Sequence, residues 1–178
     1  MELNDPRALA EKAQAFAIAA HARQRYCNGP YRNHLEDVIA VLQSCGAAFE
    51  DAFSAPILVA AWLHDTLGEA ATDRASLASE FGPEIARLVW RVTDERDGTV
   101  AERHTRTWLK LRDDERAIVL KLADRIANVE ACLRTKPQKL DKYRHEHRGF
   151  TTAVRPYCRS AMAVRMWEKL DEMLSEEQ

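Results

Sequence analysis

The sequence has no excess of positive charge: 26 Lys and Arg stand against 28 Asp and Glu in 178 residues, a formal net charge of -2. Without a basic surplus there is no electrostatic footprint for a nucleic-acid backbone, so DNA and RNA are not expected partners. Any anionic ligand must be met by a local cluster. Glycine and proline are scarce, at 6 each, too few for the dense turns of an all-β fold. The four cysteines, Cys27, Cys45, Cys132 and Cys158, form no CxxC pair. That spacing argues against a thiolate-held zinc and for free thiols in a reducing compartment. The longest apolar run, Ala55 to Leu63, has about half the length of a bilayer span, and Met1 to Pro6 has neither a basic nor an apolar leader region. The expectation is a soluble cytoplasmic protein, monomer or small homo-oligomer, with no membrane partner.

What is abundant is helical periodicity. Pro6 suits a first helical turn, and Leu9, Ala13, Phe16, Ala17 and Ala20 follow at steps of three and four. This helix is predicted to end near Arg25, where Cys27-Asn28-Gly29-Pro30 signals a turn. A second helix starts near His34, with Val38, Val41 and Leu42 on one face, and stops at Gly46. The run Ile57 to Leu63 is apolar all round, as a helix buried on every side requires. Its alanines and Pro56 favour helix over strand. Further helices are predicted up to Phe81, from Pro83 to Val92, over Val100 to Arg112 and over Glu115 to Arg134. Two more lie between Lys139 and Leu174, broken near Pro156. No segment alternates with period two. The prediction is an all-α, compact single-domain bundle of roughly eight helices over residues 1–178. Its motif-bearing core covers about 7–134 and its C-terminal helices about 139–174.

Four residues carry the candidate chemistry. His64 and Asp65 are adjacent at the end of the most apolar helix, where an unneutralised charge is costly. A satisfied histidine with an aspartate capping the next segment is one reading; a divalent cation is the other, since imidazole with carboxylate suits Mn, Fe or Zn. His34 opens a helix just after a turn. Asp124 sits inside the apolar stretch Ile118 to Arg125, where Lys121 or Arg125 could pair with it. Together His34, His64, Asp65 and Asp124 make a two-His, two-carboxylate set on three helices. Such a set suits one octahedral metal with positions left for water and substrate.

The order H…HD…D resembles the HD superfamily of metal-dependent phosphohydrolases. The stretch His21 to His34 is similar to the AHxxQxR…PYxxH opening of RelA/SpoT-type hydrolase domains, and Leu63-His64-Asp65 to their LHD element. Phe81-Gly82 with Ile85, Leu88-Val89 and Val92-Thr93 resembles their FG…I..LV..VT stretch, and Lys121-Leu122-Ala123-Asp124-Arg125 with Asn128 their KLADRxxN helix. Within that group the length resembles the single-domain small alarmone hydrolases. The resemblance implies an all-α fold, one bound Mn2+, and removal of pyrophosphate from the 3′ position of a (p)ppGpp-type nucleotide. It implies His34, His64, Asp65 and Asp124 as metal ligands. It also implies Arg25 against the base, Asn128 near the ribose, Tyr31 at the pocket entry, and Lys121 among the substrate-binding residues.

The chain departs from the family's HDxxED element. Gly68 stands at the first acidic position and Glu69 at the second, which leaves Glu69 as the candidate general base. That change opens an alternative: an HD phosphohydrolase for another nucleotide or phosphoester such as (p)ppApp, or a catalytically impaired nucleotide-binding regulatory protein. Glu130 replaces a residue that is often basic in the family. Arg103, Arg106 and Lys110, on one helical face, could supply compensating charge, although Glu102 and Arg106 also read as a surface pair. His145 and His147 are two apart and point in different directions on a helix. Arg144 or His147 is expected to border the cleft, and the four tryptophans are expected to pack in the core.

Overall fold

The computed structural model describes residues 5–69 and 72–175, the side chains of Gly68 and Glu69 excepted. Among the described residues the chain forms ten α-helices, two 3-10 turns and one small hairpin. Helix α1 (Pro6–Ala20) starts with Asp5 accepting from the Arg7 amide and Pro6 in its first turn, where a missing N–H costs nothing. It ends at Ala20, five residues before the predicted stop. The chain then makes a two-residue hairpin, β1 (Arg25–Tyr26) against β2 (Gly29–Pro30), with Arg25 opposite Pro30. Cys27 takes a positive φ of 51° at its tip. The sequence signalled only a turn here, because strands of two residues leave no periodicity to read.

Helix α2 (Arg32–Ser44) leads through a loop pinned by Ser54, whose hydroxyl reaches Ala48 O and Asp51 Oδ2. Helix α3 (Ala55–Leu63) is buried along its whole length and packs against α1 and α2. A one-turn helix α4 (Thr66–Glu69) follows the His-Asp pair and was not predicted. Helices α5 (Arg74–Phe81) and α6 (Pro83–Val92) are joined at Gly82, whose φ of +88° lets one helix stop and the next begin without a spacer.

Helix α7 (Val100–Leu111) opens with a reciprocal capping box between Thr99 and Glu102. Glu102 is thereby spent on the cap, not on Arg106, which donates to the Asp97 carbonyl instead. Helix α8 (Glu115–Thr135), of 21 residues, is the axis of the bundle and touches α2, α3, α6 and α10 (Ala161–Leu174). Helix α9 (Leu140–Val154) packs on α7 and α8. Phe150 and Trp167 fill the space between these C-terminal helices, with ring centroids 5.1 Å apart.

Trp62 and Trp167 are core residues as expected, whereas Trp108 faces a cleft and Trp90 stacks under Arg74 and Lys110. The four cysteines are free thiols. Among the described residues, no helix is long and apolar enough to cross a membrane.

Candidate metal centre and cleft

The predicted ligands come from α2, α8 and the C-terminal end of α3. His34 lies in the first turn of α2, His64 caps the C-terminus of α3, Asp65 follows it, and Asp124 sits midway along α8. Helix α3 can carry polar groups only at its end, because all its other faces are covered by apolar neighbours. His64 Nε2 lies 3.3 Å from His34 Nε2 and 3.0 Å from Asp65 Oδ2. His34 Nε2 lies 3.3 Å from Asp124 Oδ1, and the two cross distances are both 3.8 Å. One ligand atom each from His34, His64 and Asp124 lies within 4.8 Å of the others. Neighbouring ligands on a cation with bonds of about 2.1 Å stand roughly 3 Å apart, so this donor set fits one divalent ion.

The surroundings orient these donors. His64 Nδ1 donates to Ala61 O at 2.7 Å, which directs Nε2 into the cluster. Tyr31, buried and stacked on His21 at 4.6 Å, donates its hydroxyl to Asp65 Oδ2. Asn128 Nδ2 donates to Asp124 Oδ1 at 2.6 Å, and Tyr26, one residue past Arg25, donates to Asn128 Oδ1 at 3.0 Å. Lys121 Nζ is shared between Asp94 at 3.1 Å and Asp124 Oδ2 at 3.4 Å, so its charge is committed to the carboxylates. Arg125 does not pair with Asp124; it reaches Glu146 on α9 at 3.2 Å. Arg25 is exposed on the hairpin and donates to Asn28 O. The side chain of Glu69 lies outside the described residues.

Burial works against the charged form of His64, but Asp65 and Asp124 outweigh it and raise its pKa to about 9. Burial likewise opposes the charge on both carboxylates. The His64 and His34 imidazoles and Tyr31 nevertheless hold Asp65 far below the usual carboxylate range, and Lys121 with the same imidazoles does so for Asp124. Lys121 is raised in turn: Asp124, Asp94 and Asp65 overcome its desolvation. In the metal-free protein the stability from His64 is therefore complete below its ordinary value of 6.5 and is lost as pH rises through about 9. A cation needs the same nitrogen unprotonated. Calorimetric titration with Mn2+ at pH 7, in buffers of different ionisation enthalpy, is expected to read release of about one proton per ion. Affinity is expected to climb with pH up to about 9. Binding without proton release contradicts this account.

A cleft of about 420 Å³ runs from Asp65 along the 93–96 segment to Arg103, His104 and Thr107 of α7 and Lys142 and Glu146 of α9. A second, of about 120 Å³, lies beside it over Asp124 and Asn128, with Trp108, Tyr143 and Phe150 as its apolar wall. Burial, with Asp124 close by, pushes the Tyr143 hydroxyl up to about 12. Of the residues expected to border the cleft from α9, Arg144 turns to Asp141 and His147 to Asp171 of α10, at 2.8 Å. Lys142, Tyr143 and Glu146 take that place. Of the three basic residues on α7, Lys110 is bound to Glu95 and the carbonyls of Trp90 and Thr93, and Arg106 to Asp97, which leaves Arg103 on the cleft. Tyr26 and His104 were missed by sequence reasoning. Tyr26 sits beside the named Arg25, and His104 lay within the polar helix without a motif of its own.

An all-α bundle that brings two histidines and two carboxylates together in the order His, His-Asp, Asp defines a class. The family model described as HD domain matches residues 13–149, and the chain belongs to that family. Within it, the chain is 32% identical over 127 residues to guanosine-3′,5′-bis(diphosphate) 3′-pyrophosphohydrolase MESH1 of Danio rerio, covering 69% of this chain and 68% of that protein. It is 31% identical over 141 residues to the guanosine-3′,5′-bis(diphosphate) 3′-pyrophosphohydrolase of Aquifex aeolicus, covering 76% of this chain and 19% of the relative. It is 30% identical over 130 residues to the GTP pyrophosphokinase rsh of Brucella ovis, covering 68% of this chain and 16% of the relative. The chain thus spans about a sixth of the length of the Brucella relatives. A solved structure described as a metazoan ortholog of SpoT that hydrolyzes ppGpp matches 93% of both chains, with a TM-score of 0.73 and 25% identity.

Proposed function

We propose that this protein is a metal-dependent phosphohydrolase that removes pyrophosphate from the 3′ position of a (p)ppGpp-type nucleotide. The observation that carries the reading is the convergence of two imidazole nitrogens and two carboxylates at the mouth of a cleft with basic side chains on its rim. The relatives named for the same reaction support it. His34, His64, Asp65 and Asp124 are the proposed ligands of one Mn2+, a cation that accepts mixed imidazole and carboxylate donors with positions left open. The bound cation supplies Lewis acidity, which offsets phosphoryl charge and makes water a nucleophile near neutral pH.

The chain's own residues do the rest. Tyr31 holds Asp65, and Asn128 with Lys121 holds Asp124, so the donors need little rearrangement when the ion and substrate arrive. Glu69 is the proposed base for the attacking water. Arg25 and Asn128 are proposed to meet the base and ribose, Tyr31 to shape the entry, and Lys121 to be among the substrate-binding residues while it offsets the charge of Asp94 and Asp124. The proposal extends to a single HD domain over the whole chain, working in the cytoplasm on a small-molecule nucleotide. Because Gly68 removes one acid of the usual pair, a slower enzyme, (p)ppApp as substrate, or a binding-only role is the second reading.

Purified protein supplied with Mn2+ is expected to release pyrophosphate from ppGpp, and Asp65→Ala to lose both bound metal and turnover. Nucleotide binding without release from ppGpp, ppApp or nucleoside monophosphates would move the conclusion to the binding-only role.

A further inference from the structure

The acids that face the cleft are all committed. Glu95 is bound to Lys110 at 2.6 Å, Asp94 to Lys121 at 3.1 Å and Glu146 to Arg125 at 3.2 Å, while Asp65 and Asp124 belong to the metal cluster. The basic side chains opposite them are not. Among the described residues the side chains of Arg96 and Arg103 have no hydrogen bond or ion pair, and that of Lys142 only lies 5.7 Å from the Tyr143 ring. Between them stands His104, which borders both parts of the cleft. Its ring is stacked on Trp108 at 5.2 Å with an interplanar angle of 23°, and Glu146 lies 3.9 Å from its Nε2. Neither ring nitrogen of His104 has a hydrogen-bond partner among the described residues. A half-enclosed imidazole fixed on an indole, beside three uncommitted cations, is arranged to receive an anion.

We propose that His104 is a specificity-determining residue: with Arg103 and Lys142 it grips a second anionic group of the substrate in the cleft beside the metal cluster. This rests on the nucleotide-hydrolase reading and adds to it a discrimination between nucleotides. A nucleotide with phosphoryl groups at both 3′ and 5′ positions gains from the contact; one with a 3′ group alone does not.

The test compares binding of GDP to the Mn2+-loaded protein and to His104→Ala and His104→Lys at a single pH. His104→Ala is expected to bind about tenfold more weakly, the size of one charge-assisted hydrogen bond to the phosphate. His104→Lys, which keeps a donor at the same place, is expected to bind close to wild type. Guanosine, which has no phosphoryl group, is expected to show neither effect.

An alanine variant that binds GDP as tightly as wild type, or that loses guanosine to the same extent, overturns the proposal. If GDP binding weakens as expected while ppGpp is not hydrolysed, the anion subsite stands and the hydrolase reading falls. If ppGpp is hydrolysed and GDP binding is unchanged, the reverse holds.

Discussion

Asp124→Ala is expected to abolish hydrolysis and to destabilise the metal-free fold in the same stroke. One carboxylate oxygen faces His34 Nε2 at 3.3 Å and accepts from Asn128, and the other lies 3.4 Å from Lys121. Deleting the group removes a proposed metal ligand from the centre of α8 and leaves the Lys121 ammonium largely buried, with Asp94, itself well exposed, as its nearest acid. Breaking a buried pair from one side costs about 3–5 kcal/mol, because the remaining charge keeps its desolvation penalty. Asp124→Asn keeps the shape and the Asn128 contact but not the charge, so it is expected to lose metal and turnover just as fully. Urea unfolding of the chelator-treated proteins separates the two effects. An alanine variant as stable as wild type would show that the Lys121–Asp124 pair contributes nothing.

The second large effect is expected at Phe150. Its ring is fully buried, 5.9 Å from Trp108 and 5.1 Å from Trp167, with the Arg125 guanidinium 5.2 Å from its centroid. Phe150→Ala opens a cavity where α7, α9 and α10 meet, and large-to-small changes of this kind cost about 3–5 kcal/mol. For a domain of this size that lowers the melting temperature by roughly 10 °C. The same ring supports the indole under His104 and the arginine that holds Glu146. KM for the nucleotide is therefore expected to rise severalfold while Mn2+ affinity, set by α2, α3 and α8, stays near wild type. Equal losses in both would mean that the cleft wall and the metal cluster are one mechanical unit.

The residues that announced themselves in the sequence did so through local chemistry. Pro6, Pro56 and Pro83 mark helix starts because a first turn tolerates a missing N–H, and Gly82 marks a junction that needs positive φ. His64 and Asp65 stood out at the end of an apolar helix and Asp124 inside one, with His34 opening a helix after a turn; the structure places donor atoms of His34, His64 and Asp124 within 4.8 Å of one another and Asp65 beside His64. Thr99 and Glu102 did not stand out: the sequence offered Glu102 as an i,i+4 partner of Arg106, whereas the structure uses it in a T-x-x-E capping box with Thr99. Other features had no local signal. The one-turn α4 is too short for periodicity. Arg125 chose Glu146 over its sequence neighbour Asp124 because α9 folds back across α8, and the stack of His104 on Trp108 matters only once α9 closes the cleft.

The complete burial of α3 also sets the tempo of the site. An amide in a helix covered on every face exchanges its hydrogen with solvent only when the whole domain opens, so this segment should be among the slowest to take up deuterium. His64 and Asp65 hang from it as from a fixed post. The hairpin at 25–30 and the 93–99 connection have no such cover and are expected to exchange through small local openings. One side of the centre thus keeps time with global unfolding, and the rim where a nucleotide would enter moves on its own clock. Passage through that rim can be fast without ever loosening the ion.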